Sequence, residues 1–473
     1  MKCRAQSMTI FAAIFAAALS HAAGRPNVLF IAIDDLNHWV GHLGRNPQTR
    51  TPAIDRLARQ GVAFSKAYCT APACNPSRAS LMSGQRPSAT GCYLNEQNWR
   101  PGISEDKLMN SHFARAGYRV YGAGKIYHGA GDRGGVWDDY FDGKGGVELK
   151  LHPSARDDGV GGIKFGPLAN TDEEMPDYAV VSYGLKRLAE PPGEKPFFLA
   201  VGLVKPHMPF SVPKKWFDRF PLETIELPPH IENDLADIPP AGVRMAKPEG
   251  DHAQMLASGR WKEAVQAYLA TIAFCDAQVG RLLDGLEQSP HRDNTIVCLW
   301  SDHGWSLGEK QHWRKFALWE EPTRTVFVWR VPGVTRPGGL CGRPVDFSCI
   351  YPTLCALTGL PLPPHLDGRD ITALLKEPSA AWAFPALTTY GFKNHAVRDE
   401  NWRYIHYANG DEELYHDAED PLEYVNLAGR PEFAARKAEL AAFLPKSDAP
   451  DLPINRAGKK KSKKDRNKDL GEK

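Results

Sequence analysis

Beyond its first twenty residues the sequence has no apolar run approaching the ~20 residues a membrane-spanning helix needs. It also has no internal repeat and no Cys/His spacing of a zinc site. A polytopic membrane protein, a repeat array and a zinc-stapled fold are therefore excluded. Cysteine is too sparse and uneven for a disulfide framework. Of nine, Cys3 falls in the N-terminal segment and Cys74 in a motif, leaving the odd set Cys69, Cys92, Cys275, Cys298, Cys341, Cys349 and Cys355. Cys298 lies in an apolar strand-like run and Cys275 in a long helical pattern, so most read as small core residues. Net charge is small as well, +2, and no nucleic-acid partner is expected.

The small total hides an asymmetry, with positive charge in excess at the two ends and a net −5 between them. Lys2 and Arg4 precede the apolar run Met8 to Leu19, and Ser20-His21-Ala22 supplies small residues around a cleavage point. This reads as a secretory signal peptide over residues 1–22, with export to the periplasm or beyond and no stable membrane insertion after cleavage. No cysteine follows the run directly, which argues against lipid attachment. Residues 458–473 carry eight Lys/Arg against three Asp/Glu and read as a solvated basic tail.

At 473 residues with 42% apolar content, the chain is long enough for two cores. Four apolar runs read as strands, and each is followed by reactive residues. Asn27 to Ile33 ends in Asp34-Asp35. Arg119 to Tyr121 leads through Gly122-Ala123-Gly124 to Lys125 and His128. Phe197 to Val204 ends in Lys205-Pro206-His207, and Thr295 to Trp300 ends in Ser301-Asp302-His303-Gly304. Continuous apolar runs alternating with helical segments predict parallel strands covered on both faces, with ligands beyond their carboxyl ends. Thr51 is a candidate cap for a helix with Pro52 first, Ile54, Leu57 and Ala58 on one face and Gly61 as its stop. Residues 259–287 show a longer helical pattern with Tyr268, Ile272, Val279 and Leu283 as a core stripe. Segments 129–175 and 208–255 are long, rich in Gly, Pro and Asp, and suited to shaping a cleft. The α/β domain is placed at 24–379. Short runs separated by turns mark a smaller α+β subdomain with an antiparallel sheet at 380–457.

Cys74-Asn75-Pro76-Ser77-Arg78 carries the most information. Pro76 suits the first helical position, Ser77 to Ser83 the helix and Gly84 its end, which would set Cys74 at a helix N-terminus where an anion is favoured, with Arg78 one turn in. With Asp34-Asp35, Gly124-Lys125-Ile126-Tyr127-His128, Lys205-Pro206-His207 and Ser301-Asp302-His303-Gly304-Trp305, the pentapeptide resembles the type I, formylglycine-dependent sulfatases. Its nearest resemblance is to their iduronate-2-sulfatase-like branch. The resemblance covers nearly all of the chain after the signal and implies an alkaline-phosphatase-like fold, a mixed and mostly parallel sheet sandwiched by helices with the smaller C-terminal subdomain beside it.

It further implies that a maturation enzyme converts Cys74 to formylglycine, and that the hydrate attacks the sulfur of a sulfated carbohydrate. One calcium ion would be held by Asp34, Asp35, residue 74 and Asp302. His303 stands where many sulfatases have Asn, as a nitrogen ligand or as a neighbour. By the same resemblance Arg78, Lys125 and Lys315 would hold hydrate or sulfate oxygens, His128 would act as base in the elimination, and His207 would protonate the leaving oxygen. Lys310 and Arg314 are rivals for the role of Lys315. Trp305, Trp313 and Trp319, and more weakly Asn98 and Arg100, are candidates for sugar contact or for core packing. The competing readings are an arylsulfatase or a phosphonate or phosphate ester hydrolase on the same scaffold, and a non-catalytic binder of sulfated polymer.

Overall fold

The computed structural model describes residues 24–129, 132–143 and 147–454. The expected signal peptide, the basic tail and the last three residues of the expected C-terminal subdomain lie outside the described residues. Eight strands form the main sheet: β1 (Asn27–Asp34), β2 (Val62–Phe64), β3 (Arg119–Gly124), β4 (Asp139–Phe141), β5 (Phe197–Pro206), β6 (Thr295–Ser301), β7 (Phe327–Arg330) and β8 (Gly339–Cys341). Their order is β8-β2-β7-β6-β1-β5-β3-β4. Only β7 runs against its neighbours.

All eight residues of β1 are buried because both faces of the sheet are covered. Leu29, Ile31 and Ile33 pack with α1 (Pro52–Gln60), α4 (Pro176–Leu188) and α5 (Trp261–Glu287). Val28, Phe30 and Ala32 face the other way, into a cluster shared with α2 (Cys74–Ser83), α3 (Met109–Arg115) and α6 (Ile350–Thr358). The period-2 alternation of a strand thus feeds two cores from one uninterrupted apolar run. Each such side chain fully buried contributes about 1.5–3 kcal/mol.

Two local expectations need correcting. Helix α2 begins at Cys74 rather than near Ser77, so Pro76 is its third residue and not its first. The first turn has no intrahelical acceptors for its amides, so a missing N–H there costs nothing. Gly84, at φ +68°, closes the helix as expected. Thr51 does not cap α1. Its hydroxyl accepts from the Gly41 amide and donates to Asp55, and the free amides of Ala53 and Ile54 are taken instead by Asp276 of α5 at 3.1 and 2.8 Å.

Near the C-terminus β9 (Ala386–Thr389), β10 (His395–Arg398), β11 (Arg403–His406) and β12 (Glu412–Tyr415) form a separate antiparallel meander. Its tie to the main body combines an apolar cluster, in which Ile405 and Tyr415 pack with Ile238 and Leu318, with a buried ionic centre. The fully buried Arg403 donates to Glu320, lies 2.5 Å from Glu423 Oε1 and donates to the Leu318 carbonyl at 2.9 Å. Beyond the meander a strap crosses to the loop behind α2. Ala449 N donates to Ser88 O at 2.7 Å, Leu452 N to Gly91 O at 3.0 Å, and Asn98 N to Pro453 O at 3.1 Å. Gln97 Nε2 donates to Asp451 Oδ1 at 3.0 Å.

Candidate active site

Because β1, β3, β5 and β6 are parallel, the residues following them emerge at one edge of the sheet. β1 delivers Asp34 and Asp35, β3 Lys125 and His128, β5 His207, and β6 Asp302 and His303. The ends of β3 and β5 approach closely through two glycines. A Cβ on Gly124, which has φ +71°, would lie 2.1 Å from Gly202 O, and one on Gly202 would lie 2.2 Å from Lys125 O. Helix α2 points its first residue, Cys74, at the same edge.

Cys74 is completely buried. Its Sγ is 3.0 Å from Lys315 Nζ and 3.3 Å from His303 Nε2, and His128 and His207 lie near enough to favour its thiolate. Burial opposes ionisation of the thiol, but Lys125, Lys315 and His303 outweigh it and hold it well below its usual range. This is a pocket built for an anion.

The carboxylates stand beside it. One ligand atom from each of Asp34, Asp35, Cys74 and His207 lies within 4.8 Å of the others, and the same holds for Asp34, Cys74, Asp302 and His303. Asp34 accepts from Lys125, and Lys315 Nζ donates to Asp35 Oδ1 at 2.8 Å. Asp35 Oδ2 is buried without a hydrogen-bond partner, an unsatisfied hard oxygen of the kind a divalent cation takes. Asp302 Oδ1 accepts from the amides of Asp35 and His303, both at 3.1 Å, and burial pushes its pKa up to about 6. His303 Nδ1 lies 3.0 Å from Gly304 O, which can only accept, so the proton sits there and Nε2 faces Cys74 and Asp35. Burial lowers the basicity of that ring, but Asp302 outweighs it and raises the pKa to about 9. Three buried acids with an orphan oxygen, and His303 Nε2, which becomes a donor atom once its proton leaves, fit a divalent metal.

Arg78 stands apart from the expectation that it holds oxygens of the hydrate or sulfate. Nε donates to Asp302 Oδ2 at 2.8 Å, Nη2 to Asp34 Oδ1 at 3.3 Å and Ile33 O at 3.4 Å, and Nη1 to the carbonyls of Lys125 and Ile126. All five donors are spent and the side chain is fully buried, so it positions the carboxylates. His207 points Nδ1 at Met208 O, 2.6 Å away, and turns Nε2 toward Asp35 Oδ2 at 3.8 Å.

The structure thus brings together Asp34, Asp35, Cys74, Arg78, Lys125, His128, His207, Asp302, His303 and Lys315. The rivals of Lys315 are engaged elsewhere, Lys310 with Asp234 at 2.7 Å and Arg314 with Asp251 at 2.5 Å. Of the two alternatives for the tryptophans, sugar contact or core packing, burial favours packing. Trp305 is 1% exposed, packs edge-on to Phe210 and lies beneath the Lys315 ammonium. Trp313 and Trp319 are each 3% exposed and donate to His252 and Glu413. Arg100 lies over Trp99 and is committed to Glu105 and Asp132, while the Asn98 side chain accepts from the Arg100 amide. Two contributors escaped the sequence reading. Tyr268, read only as core, donates its hydroxyl to Asp35 O at 2.7 Å. Lys205, quoted in a motif but given no role, is buried and its ammonium donates to the carbonyls of His207 and Pro209.

Comparison with known proteins agrees with this geometry. Residues 26–360 match the family model described as Sulfatase. A Formosa agariphila protein named Sulfatase is 38% identical over 451 residues, covering 90% of this chain and 87% of its own. Iduronate 2-sulfatase of Mus musculus is 30% identical over 391 residues, with 72% and 70% covered. A solved structure in complex with its substrate D-glucosamine-2-N,6-O-disulfate shares the fold at a TM-score of 0.71 and 21% identity, with 88% of this chain and 96% of that one covered.

Proposed function

The chain belongs to the sulfatase family, and on that premise we propose that it is an exported enzyme hydrolysing sulfate monoesters of a sulfated carbohydrate. The observation that carries this reading is the setting of Cys74: a buried side chain at a helix N-terminus, with Lys315 and His303 within 3.3 Å and three acids beside it. A sulfate ester is an anion that repels nucleophiles, so its attack needs fixed positive charge around both the entering oxygen and the sulfate.

In the matured chain Cys74 becomes formylglycine, with Sγ marking where the oxygens of its hydrate stand, and the hydrate supplies the attacking oxygen. Asp34, Asp35, Asp302, His303 and residue 74 would hold a calcium ion, which neutralises charge on the sulfate oxygens when bound. Lys315 and Lys125 keep two ammonium groups at this spot. Their ion pairs to Asp35 and Asp34 fix them against the floor of the pocket. Arg78 locks the two outer carboxylates in place. His207, with Nδ1 committed to Met208 O, presents Nε2 to the cleft and delivers a proton to the departing sugar oxygen. His128 stands beside position 74, and its buried Nδ1 has no hydrogen-bond partner, so it is free to receive the proton from a hydroxyl there.

The test is hydrolysis by aldehyde-containing protein, read as sulfate released from sulfated oligosaccharides and aryl sulfates and as alcohol or phenol released from phosphodiesters and phosphonate esters. Turnover led by the sulfated sugars supports the reading. Phosphonate or phosphodiester turnover exceeding that on every sulfate would replace it, and tight binding of sulfated polymer without sulfate release would make the protein a binder.

A further inference from the structure

Between the metal motif and β7 the backbone is unusual. Lys310, Gln311, Arg314 and Phe316 all have positive φ, at 50°, 49°, 82° and 80°. Residues other than glycine hold that conformation at a cost, and the surrounding structure must enforce it. Its effect at 314–316 is specific. Lys315 turns inward to Cys74 and is 4% exposed, while Arg314 and Phe316, on either side, both line a cavity of about 440 Å³. That size is within the range of small-molecule sites, about 300–1,000 Å³. Phe316 is near both: Lys315 Nζ lies 5.7 Å from its ring centroid, and the Tyr390 ring packs 5.8 Å from it.

The cavity is unbalanced in charge. Arg244, Lys247 and Arg314 line it against the single acid Asp251, and that acid is already paired with Arg314. Arg244 and Lys247 are exposed. Asp411, a carboxylate that Arg244 favours in its charged form, is held by the Ala241 amide and by Asn409. Two aromatic rings, Phe316 and Tyr390, and uncommitted cations therefore adjoin the sulfate pocket, the combination that suits a sugar ring bearing its own negative charge. We propose that this cavity is a subsite for an anionic sugar unit next to the sulfated one. The substrate class is then an acidic oligosaccharide with at least one further carboxylate or sulfate, and Arg244 and Lys247 determine specificity. This rests on the sulfatase reading above.

The experiment compares wild type with Arg244→Ala/Lys247→Ala. The substrates are a sulfated disaccharide carrying a uronate carboxylate, one carrying a second sulfate, a neutral sulfated disaccharide and an aryl sulfate. Wild type is expected to favour the acidic disaccharides. In the variant kcat/KM on them falls about tenfold more than on the aryl sulfate, mainly through KM, and the two acidic arms show which anion is read. Equal losses on all four substrates, or a wild type indifferent to the second anion, overturn the proposal. Calorimetric binding of the acidic disaccharide lacking the scissile sulfate provides an arm free of turnover. About tenfold weaker binding by the variant supports the subsite, and unchanged binding rejects it. Failure of wild type to release sulfate from any substrate would instead count against the sulfatase reading itself.

Discussion

Lys315 Nζ stands 3.0 Å from Cys74 Sγ and 2.8 Å from Asp35 Oδ1, so a single ammonium joins the nucleophile position to the acidic cluster. Lys315→Met removes the cation while keeping most of the side-chain volume. Loss of one fixed charge of this kind costs about 10²–10³-fold in kcat, measurable as sulfate release. Cys74→Ala is expected to abolish turnover and leave the far-UV circular dichroism unchanged. Substantial residual activity would reject Cys74 as the source of the nucleophile.

Arg78 gives a different signature because it is enclosed. Arg78→Lys supplies at most three donors to acceptors arranged for five. Calcium affinity should drop at least tenfold along with activity. Arg78→Ala leaves Asp34 and Asp302 buried without their partner and should destabilise the fold by about 3–5 kcal/mol. Calcium titration and thermal melts separate these effects from a residue that only contacts sulfate.

Chelation tests the metal. Removal of calcium should abolish activity and lower Tm, and returning it should restore both, with Tm rising with calcium concentration as mass action requires. A Tm indifferent to the chelator would deny this protein a structural cation among Asp34, Asp35 and Asp302.

Lys205→Met tests how His207 is held. The ammonium of Lys205 donates to the carbonyls of His207 and Pro209, and the Val204 and Lys205 amides are held by Asp177 at 2.9 and 2.8 Å. The variant removes the donor from the His207 carbonyl, while the Pro209 carbonyl keeps the Ser211 amide at 2.8 Å, and should cost about 1 kcal/mol. It should also lower kcat and alter the pH profile, because His207 loses its fixed orientation. A loss confined to stability would make Lys205 structural only.

Acid sensitivity follows from a histidine away from the carboxylate cluster. Burial lowers His38 from 6.5 to about 4, despite Glu321 at 3.6 Å. Between those values the unfolded chain binds a proton that the folded chain does not, so stability rises with pH across the window and is lost as pH falls from about 6.5 toward 4. The buried His312 is shifted in the same direction. Melts at pH 7.5, 6 and 5 should show Tm dropping at each step, and His38→Gln should flatten the trend.

Much of this was legible in the sequence for a simple reason. A parallel strand covered on both faces is one apolar run, so where the run stops the active edge starts, as at Ile33, Val204 and Trp300. The separate meander and the burial of the cysteines follow from the same kind of pattern. What sequence did not disclose depends on direction rather than composition. Nothing in the pentapeptide says that all five Arg78 donors turn toward protein acceptors. Tyr268 lies on an apolar stripe, and only its hydroxyl, reaching the Asp35 carbonyl, links it to the site. The tryptophans after the metal motif carry no mark distinguishing a platform for sugar from a buried support for Lys315. The left-handed backbone at Arg314 and Phe316 has no glycine to announce it.

The strap from Ala449 to Pro453 bears on how the enzyme fails. It grips residues 88–98, and within that loop Leu94 O and Gln97 O accept from the Asn75 side chain while Asn95 Oδ1 accepts from the Asn75 amide, one residue from Cys74. A protease nick or a modest rise in temperature that peels away this short run would unseat the first turn of α2 while the eight-stranded sheet stays intact. Inactivation should therefore set in below the melting point, leaving a well-folded but silent protein.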